Sequence, residues 1–252
     1  MKKVSYLLTI ALSCVLCACG GEDDEPAVKF SDKSLSYGET YAIPNGNKTE
    51  WTSSNDLIAS VSGSTVKAER VGEVTISSKK GSFKVTVTPN TYVYTEPCLK
   101  WGSNKSTVRS YMNNITSVYV NEDNSTTLTY YGSGKVILYT YSFENSGLKS
   151  AGVALDGDYV DVDAMSDFMI ERYVPIKIDE SNYTVYFVSP DEKTFVGMQL
   201  KTYGRTIAYL ISFVPTSSSS RSAFELLDII EDFDSTPSET VKYTFEIIKR
   251  KL

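Results

Sequence analysis

The sequence contains no histidine and only four cysteines. Without imidazole the chain has no Ser-His-Asp or Cys-His catalytic machinery, and it lacks the residue on which most catalytic zinc sites depend. Three of the cysteines, Cys14, Cys17 and Cys19, lie close to the N-terminus, which leaves Cys98 as the single thiol of the remaining chain. One thiol forms no internal disulfide, so the fold must rest on its hydrophobic cores, and we interpret Cys98 as buried and unreactive.

The sequence also has no cluster of basic residues and no apolar run long enough to span a bilayer. It has 25 Lys and Arg residues against 31 Asp and Glu residues, a formal net charge of −6 at pH 7. An acidic chain of this kind is a poor partner for phosphate backbones, so we expect no binding to nucleic acid. The mainly apolar stretch from Val4 to Val15 is shorter than the about 20 residues that a membrane-spanning helix needs.

The N-terminus has the pattern of an export signal. Lys2 and Lys3 precede the apolar stretch, and Leu16-Cys17-Ala18-Cys19-Gly20 follows it. This ending resembles the lipobox of bacterial lipoproteins, which implies that residues 1–19 contain the signal peptide and that Cys19 carries the lipid. Several acyl chains on one residue give a stable membrane anchor. The alternative is an ordinary cleaved signal in which Cys19 has no role.

An acidic segment, residues 20–27, follows the lipobox. Its two glycines, four acids and one proline cannot form a core, which predicts a solvated tether. The segment also resembles the acidic export signal of surface lipoproteins in the Bacteroides group. That resemblance implies an outer-membrane protein displayed at the cell surface. A plain linker on a periplasm-facing protein is the alternative.

Residues 28–89 are predicted to form a small β-sandwich. Short segments that alternate at period two, such as Val74-Thr75-Ile76-Ser77, are separated by Gly and Asn turns. The order of Trp51-Thr52-Ser53-Ser54-Asn55, Ile58-Ala59-Ser60-Val61 and the segment from Val66 to Ile76 resembles the bacterial Ig-like domain of group 2. Membership would imply a spacer or adhesion module without a catalytic centre. Trp51 is then a core residue between the sheets.

Residues 90–252 are predicted to form an α+β domain with an antiparallel sheet and two to three short helices, which makes the whole chain mostly β. The order of a helix, a strand meander, a second helix and a second meander suggests two copies of one unit. The opening from Pro97 to Met112 resembles uncharacterised lipoproteins of the Bacteroides group and implies no activity. The predicted helices are 104–115 and 163–173, with a weak helical face at Phe224, Leu227, Ile230 and Phe233; Thr240 to Lys249 is predicted as a closing strand.

Two groups of carboxylates suggest chemistry. Asp156, Asp158, Asp161 and Asp163 surround a glycine turn and are a weak candidate Ca²⁺ site, although the EF-hand order is absent. The alternative is a turn in which Asp161 or Asp163 caps the next helix. No other metal and no cofactor are predicted. A glycosidase needs two carboxyl groups on one cleft, and the candidates are Glu96, Asp167, Glu171, Asp191 and Glu192.

Tyrosine is abundant, with 18 residues in the chain. Tyr130, Tyr131, Tyr139 and Tyr141 fall on predicted strands, where tyrosine suits a half-buried sheet. If they face outward, they form a ligand face for sugars or proteins. The sequence therefore predicts a non-catalytic binding module for a glycan or protein ligand. A carboxylate-dependent hydrolase and a structural envelope subunit remain as alternatives.

Overall fold

The computed structural model describes residues 30–116, 118–217, 233–234 and 236–252. Cys19 and the acidic tether at 20–27 therefore lie outside the described residues. Two large hydrophobic cores are present. The buried residues of the first come from the chain between positions 35 and 87, and those of the second come from positions 93 to 248. The predicted fold class is confirmed: a β-sandwich is followed by an α+β region with an antiparallel sheet and short helices.

The sandwich contains seven described strands in two sheets. One sheet has the order β1-β7-β6-β3, in which β1 runs parallel to β7, and the other has the order β2-β5-β4. Alternate residues point into the core, as in β7, because successive side chains of a strand face opposite sides. The strands are β1 Lys33–Ser36, β2 Thr40–Ala42, β3 Thr52–Ser53, β4 Ala59–Ser62, β5 Thr65–Ala68, β6 Gly72–Ser78 and β7 Gly81–Thr88.

Trp51 is the central aromatic residue of the sandwich core, as predicted. Its side chain is 5% exposed, and its ring lies edge-to-face with Phe30, with 4.9 Å between the centroids. The indole Nε1–H donates to the carbonyl of Gly46 at 3.2 Å. A Cβ on Gly46 would lie 2.7 Å from the Cβ of Ser64, so only glycine lets this loop approach the indole. Trp51 is therefore a structural residue and not a ligand platform.

The second region contains three described α-helices and one long antiparallel sheet. Its sheet has the order β12-β13-β14-β15-β11-β10-β9-β8, and β16 pairs with the end of β14. The elements are α1 Lys105–Met112, β8 Tyr119–Asp123, β9 Thr127–Tyr131, β10 Val136–Glu144, β11 Gly147–Asp156, α2 Val162–Arg172, β12 Val174–Asp179, β13 Thr184–Val188, β14 Thr194–Tyr203, β15 Thr206–Pro215, β16 Phe233–Asp234 and α3 Glu239–Lys251.

The strand register supports the duplication suggested by the sequence. Each half is a helix followed by four consecutive strands, and the last strands of the two halves, β11 and β15, pair antiparallel at the centre of the sheet. The first strand of each half carries a bulge at the matching position, before Glu122 in β8 and before Lys177 in β12. The residues opposite these two positions, Thr129 and Tyr186, are also equivalent. A shared irregularity in the same place indicates one repeated unit.

The predicted closing strand is wrong, because the chain ends in helix α3. Ser238 caps this helix, and its Oγ accepts the N–H of Val241 at 3.3 Å. The buried apolar residues Val241, Phe245 and Ile248 follow at helical spacing and join the core beneath the sheet. Burial of this face outweighs the strand propensity of the β-branched residues in the segment. The helical face predicted around Phe224, Leu227 and Ile230 lies outside the described residues, and Phe233 belongs to β16.

Helices α1, α2 and α3 share one core with a single face of the sheet. Asn104 caps α1 and Asp161 caps α2, each through a side-chain oxygen that accepts a backbone N–H of the first turn. The two helix predictions are thus confirmed: α1 is shorter than the predicted 104–115, and α2 has the predicted length but begins and ends one residue earlier than 163–173. The sheet side chains in this core include Tyr139, Tyr141, Val153, Phe187, Val196, Ile211 and Phe213.

Candidate functional site

The most promising cavity is an open cleft where the sandwich meets the second region. Its volume is about 460 Å³, within the range of about 300–1,000 Å³ that is usual for small-molecule sites. The sandwich contributes one wall, and the segment before α1, the end of α2 and the β13–β14 turn contribute the others. The lining residues are Ile58, Val71, Gly72, Glu73, Glu96, Leu99, Trp101, Arg172, Tyr173, Ser189, Pro190, Asp191, Lys193 and Thr194.

Two other cavities lack the combination of an aromatic wall, a carboxylate and a guanidinium that the cleft has. A cavity of about 530 Å³ at the end of the sandwich is lined by polar residues from Lys48 to Lys79 and has no aromatic wall. A smaller cavity of about 290 Å³ lies beside residues 92–95 and the β9–β10 turn. The cleft between the two regions is the one of these three that joins an aromatic wall to a carboxylate and a guanidinium.

Hydrogen bonds to backbone carbonyls hold the two regions together at the edge of the cleft. The N–H of Val71 donates to the carbonyl of Glu171 at 2.7 Å. The Asn55 side-chain amide donates to the carbonyl of Pro190 at 2.8 Å, and Arg70 Nε donates to the carbonyl of Tyr173 at 3.3 Å. The sandwich therefore forms a wall of the cleft through specific hydrogen bonds.

Glu171 fixes the segment that joins the two regions. Its side chain is buried, and its carboxylate accepts the N–H groups of Asn90 and Thr91 at 2.9 and 3.0 Å. The Thr91 hydroxyl adds a third hydrogen bond to the same carboxylate at 2.8 Å. A carboxylate that binds two consecutive backbone N–H groups holds the joining segment in one conformation.

The polar centre of the cleft consists of Glu96, Arg172 and Tyr173. The Tyr173 hydroxyl donates to Glu96 Oε1, and Arg172 Nε lies 3.5 Å from Glu96 Oε2. Arg172 is 8% exposed and its guanidinium stacks on the ring of Phe168 at 3.7 Å. It also donates to the carbonyls of Phe168 and Thr91, both at 3.1 Å. A fixed anion and a fixed cation thus lie side by side on the wall.

Two of the three acids of the cleft, Glu96 and Asp191, have pKa values displaced in opposite directions. Burial raises the pKa of Glu96, and the Tyr173 hydrogen bond and the Arg172 charge offset only part of this effect. Burial acts in the same direction on Asp191, but hydrogen bonds from Ser189 and from Lys193 outweigh it, and its pKa is lowered. Asp191 lies at the exposed rim, where it also pairs with the Lys193 ammonium at 3.5 Å.

Trp101 supplies the aromatic wall, and three contacts fix its position. Its Nε1–H donates to Thr194 Oγ1 at 3.1 Å. The next residue, Gly102, donates its N–H to the carbonyl of Leu148 at 3.0 Å, and the Leu148 N–H donates back to Ser103 at 2.8 Å. The indole packs against the core on one side and lines the cleft with the remainder of its surface.

Tyr94 is a buried polar group close to this centre. Its side chain is 2% exposed, and its hydroxyl has no hydrogen-bond partner among the described residues. Burial raises its pKa well above the usual value, and the nearby charge of Glu96 adds to this shift. Tyr94 borders the smaller cavity beside residues 92–95 and is not one of the residues that line the cleft.

The predicted tyrosine ligand face is wrong for three of its four members. Tyr130, Tyr139 and Tyr141 are at most 3% exposed, because they point into the core shared with the helices. Tyr131 points to the opposite side, is 38% exposed and packs edge-to-face against Tyr119, with 5.9 Å between the centroids. The alternation along β9 and β10 therefore buries the side of the sheet that carries most of the tyrosines.

A Tyr141→Phe substitution tests the structural role of this core. The Tyr141 hydroxyl accepts the buried N–H of Cys98 at 3.2 Å and donates to Met112 Sδ at 2.9 Å. Its removal leaves the N–H unpaired, so we expect the free energy of unfolding to fall by about 1–3 kcal/mol. Tyr131→Phe, at an exposed position, should change it by less than about 0.5 kcal/mol. Urea unfolding measures both, and equal values for the two variants would contradict the assignment.

Three of the four candidate calcium ligands, Asp156, Asp161 and Asp163, have other partners. Asp156 accepts the N–H of Asp158 at 3.0 Å, and Asp161 caps α2 by accepting the N–H of Ala164 at 2.9 Å. Asp163 pairs with the Lys251 ammonium at 3.0 Å. Among the described residues, no group of three or more His, Cys, Asp and Glu side chains is placed to hold a metal ion. The calcium prediction is therefore corrected to a turn with helix caps and an ion pair.

The other predicted carboxylates are scattered. Glu96 and Asp191 line the cleft, whereas Glu171 binds the joining segment. Asp167 pairs with Lys251 at 3.0 Å on the helix surface, and Glu192 is an exposed turn residue with φ of 57°. Sequence reasoning did not single out Trp101, Arg172 or Tyr173 as site residues, since their meeting depends on contacts between distant segments.

Comparison with protein-family models, with curated proteins and with solved structures finds no match to this sequence. Within the described part of the chain, no helix is both long enough and apolar enough to cross a membrane.

The opposite pKa shifts of Glu96 and Asp191 predict opposite pH dependences of stability. Folded Glu96 holds its proton more tightly than unfolded glutamate, so its contribution to stability is present at low pH and is lost as the pH rises from about 4.3. Relative to the native chain, Glu96→Gln should therefore gain stability between pH 4 and pH 7. Asp191→Asn should lose relative stability as the pH rises through about 3.9, because the folded state favours the ionised aspartate. Urea unfolding from about pH 2.5 to about pH 7 checks both signs, and curves parallel to that of the native chain would refute the assignment.

Proposed function

We propose that this protein is a lipid-anchored binding protein of the bacterial cell envelope, and that the cleft between the sandwich and the second region holds its ligand. The observation that carries the ligand site is the convergence of an indole, a carboxylate and a guanidinium on one cavity of about 460 Å³. A cavity with an apolar wall and a few fixed polar groups is typical of ligand-binding sites.

The anchor is supported by the N-terminal sequence, in which Cys19 follows an apolar segment and precedes an acidic stretch. A Cys19→Ala variant, expressed in a bacterial host that processes lipoproteins, should lose incorporation of a labelled fatty acid and leave the membrane fraction. Labelling that persists in this variant would refute the anchor. Protease treatment of whole cells then distinguishes surface display from a periplasmic location.

Trp101 offers a direct test of the binding site, because the chain has only two tryptophans and Trp51 is buried in the sandwich core. A lipid-free form of the mature chain, residues 20–252, is screened on an array of glycans and matrix proteins, and each hit is titrated by tryptophan fluorescence. We expect a ligand that changes the fluorescence of the native chain and binds weakly to Trp101→Ala. Tyr131→Ala, outside the cleft, is the matched control and should bind normally.

A hydrolase remains a second candidate, favoured by one specific observation. Glu96 and Asp191 line the same cleft, and their pKa values are displaced apart, as in carboxylate pairs that divide acid and base roles. Release of new reducing ends from a bound glycan, abolished in both Glu96→Gln and Asp191→Asn, would establish this activity. Binding without turnover supports the binding protein. If the array shows no ligand and the protein co-purifies with another envelope protein, these results would favour the role of a structural envelope subunit.

A further inference from the structure

We infer that the ligand of the cleft is a neutral, hydroxyl-rich molecule, of the class of uncharged oligosaccharides, which places a sugar ring against Trp101 and hydroxyl groups at Glu96 and Arg172. This inference rests on the proposed function, because it names the ligand of the same site.

The charges of the cleft argue against an anionic ligand. Its lining contains the acids Glu73, Glu96 and Asp191 against the bases Arg172 and Lys193. An anion would approach an excess of carboxylates, and the exposed base at the rim, Lys193, already pairs with Asp191. Repulsion of this kind lowers the affinity for an anion.

A cationic ligand is also disfavoured, because the carboxylate at the centre is already compensated. Glu96 has the Tyr173 hydroxyl and the Arg172 guanidinium as partners. A ligand cation would have to lose its hydration and then compete with a guanidinium that is held by stacking and by two carbonyls. A neutral molecule meets neither obstacle.

The polar groups that remain match hydroxyl groups. A carboxylate has about four lone-pair positions, and the two contacts to Glu96 leave acceptor sites unused. Hydroxyl groups both donate and accept, so adjacent hydroxyls can use a carboxylate and a guanidinium placed side by side.

The apolar wall matches the flat face of a sugar ring. Trp101 is half-buried, and its indole is held by Thr194 and by the backbone contacts on either side of Gly102. A rigid aromatic side chain binds a flat apolar surface with little loss of conformational entropy. Leu99, Val71 and Ile58 extend the apolar part of the cleft, and the sandwich thus contributes to recognition instead of acting only as a spacer.

The test compares ligands that differ in charge. The mature chain is titrated by calorimetry with neutral gluco-, manno-, galacto- and xylo-oligosaccharides, with oligogalacturonate, with chitosan oligomers and with peptides from the matrix-protein hits. We expect a neutral oligosaccharide to bind, with an affinity that changes less than about two-fold between 50 and 500 mM NaCl, because no ion pair is screened. Trp101→Ala should weaken binding by about 10-fold or more, and Trp101→Phe should retain most of it.

The possible outcomes separate the two proposals. Binding of a charged oligosaccharide or of a peptide, lost in Trp101→Ala, overturns the neutral-ligand inference and leaves the cleft as the binding site. No binding by a folded sample, or binding that Trp101→Ala does not change, overturns the proposed site and the inference with it. Far-ultraviolet circular dichroism and thermal unfolding of each variant establish that a loss of binding is not a loss of fold.

Discussion

An Arg172→Met variant is expected to unfold with a free energy about 3–5 kcal/mol lower than that of the native chain. Arg172 lies within 3.5 Å of the Glu96 carboxylate and within 3.8 Å of the Glu171 carboxylate, and both it and Glu171 are buried. Methionine keeps the length of the stem and removes the charge, so two carboxylates lose their cationic partner. The carbonyls of Phe168 and Thr91 also lose their donors.

The pH dependence of this loss tests its cause. The pKa of Glu96 is raised by burial in the native chain, and removal of the guanidinium should raise it further. The variant can then relieve the unpaired charge by taking up a proton, so its deficit in stability should shrink between pH 7 and pH 4.5. Arg172→Lys is the matched control, because it keeps the charge and loses the planar guanidinium. Its free energy of unfolding should lie between those of the native chain and of Arg172→Met. A loss below about 1 kcal/mol at pH 7 would contradict the importance of this network.

The strand pattern of this chain was predictable because local chemistry determines it. Alternation at period two marks β7, β10 and β14, and polar residues with cap chemistry precede α1 and α2. The C-terminal segment misled the prediction because its β-branched and aromatic residues favour a strand. The spacing of Val241, Phe245 and Ile248 contained the helical signal, and a helix keeps all three on the buried face.

The site was less predictable, because its members are far apart in the chain. Glu96 and Trp101 precede α1, whereas Thr194 begins β14 and Val71 belongs to the sandwich, so local patterns do not show that these residues line one cleft. The tyrosine ligand face failed for a related reason. The period of two shows that Tyr130 and Tyr131 face opposite sides, but only the packing of the helices decides which side is buried.

A Gly147→Ala variant is expected to lose about 2–4 kcal/mol of unfolding free energy and also to weaken ligand binding in the cleft. Gly147 has φ of +97°, and a Cβ there would lie 2.1 Å from the carbonyl oxygen of Gly102. The residue after Trp101 must therefore move away. That movement stretches the hydrogen bonds that join Gly102 and Ser103 to Leu148, and these bonds set the position of the indole.

Gly134→Ala separates the steric effect from the backbone effect. Gly134 also has a positive φ, of +66°, but a Cβ there would meet nothing within 4 Å. Alanine at this position should lower the free energy of unfolding by about 1–2 kcal/mol, because its Cβ disfavours the left-handed backbone conformation. The fluorescence of Trp101 should remain unchanged. Urea unfolding and tryptophan emission spectra of the two variants provide the comparison. A shift of the emission in Gly147→Ala, absent from Gly134→Ala, would show that the β10–β11 turn positions the aromatic wall of the cleft. Identical spectra and equal losses of stability would mean that Trp101 is held by Thr194 and the core alone.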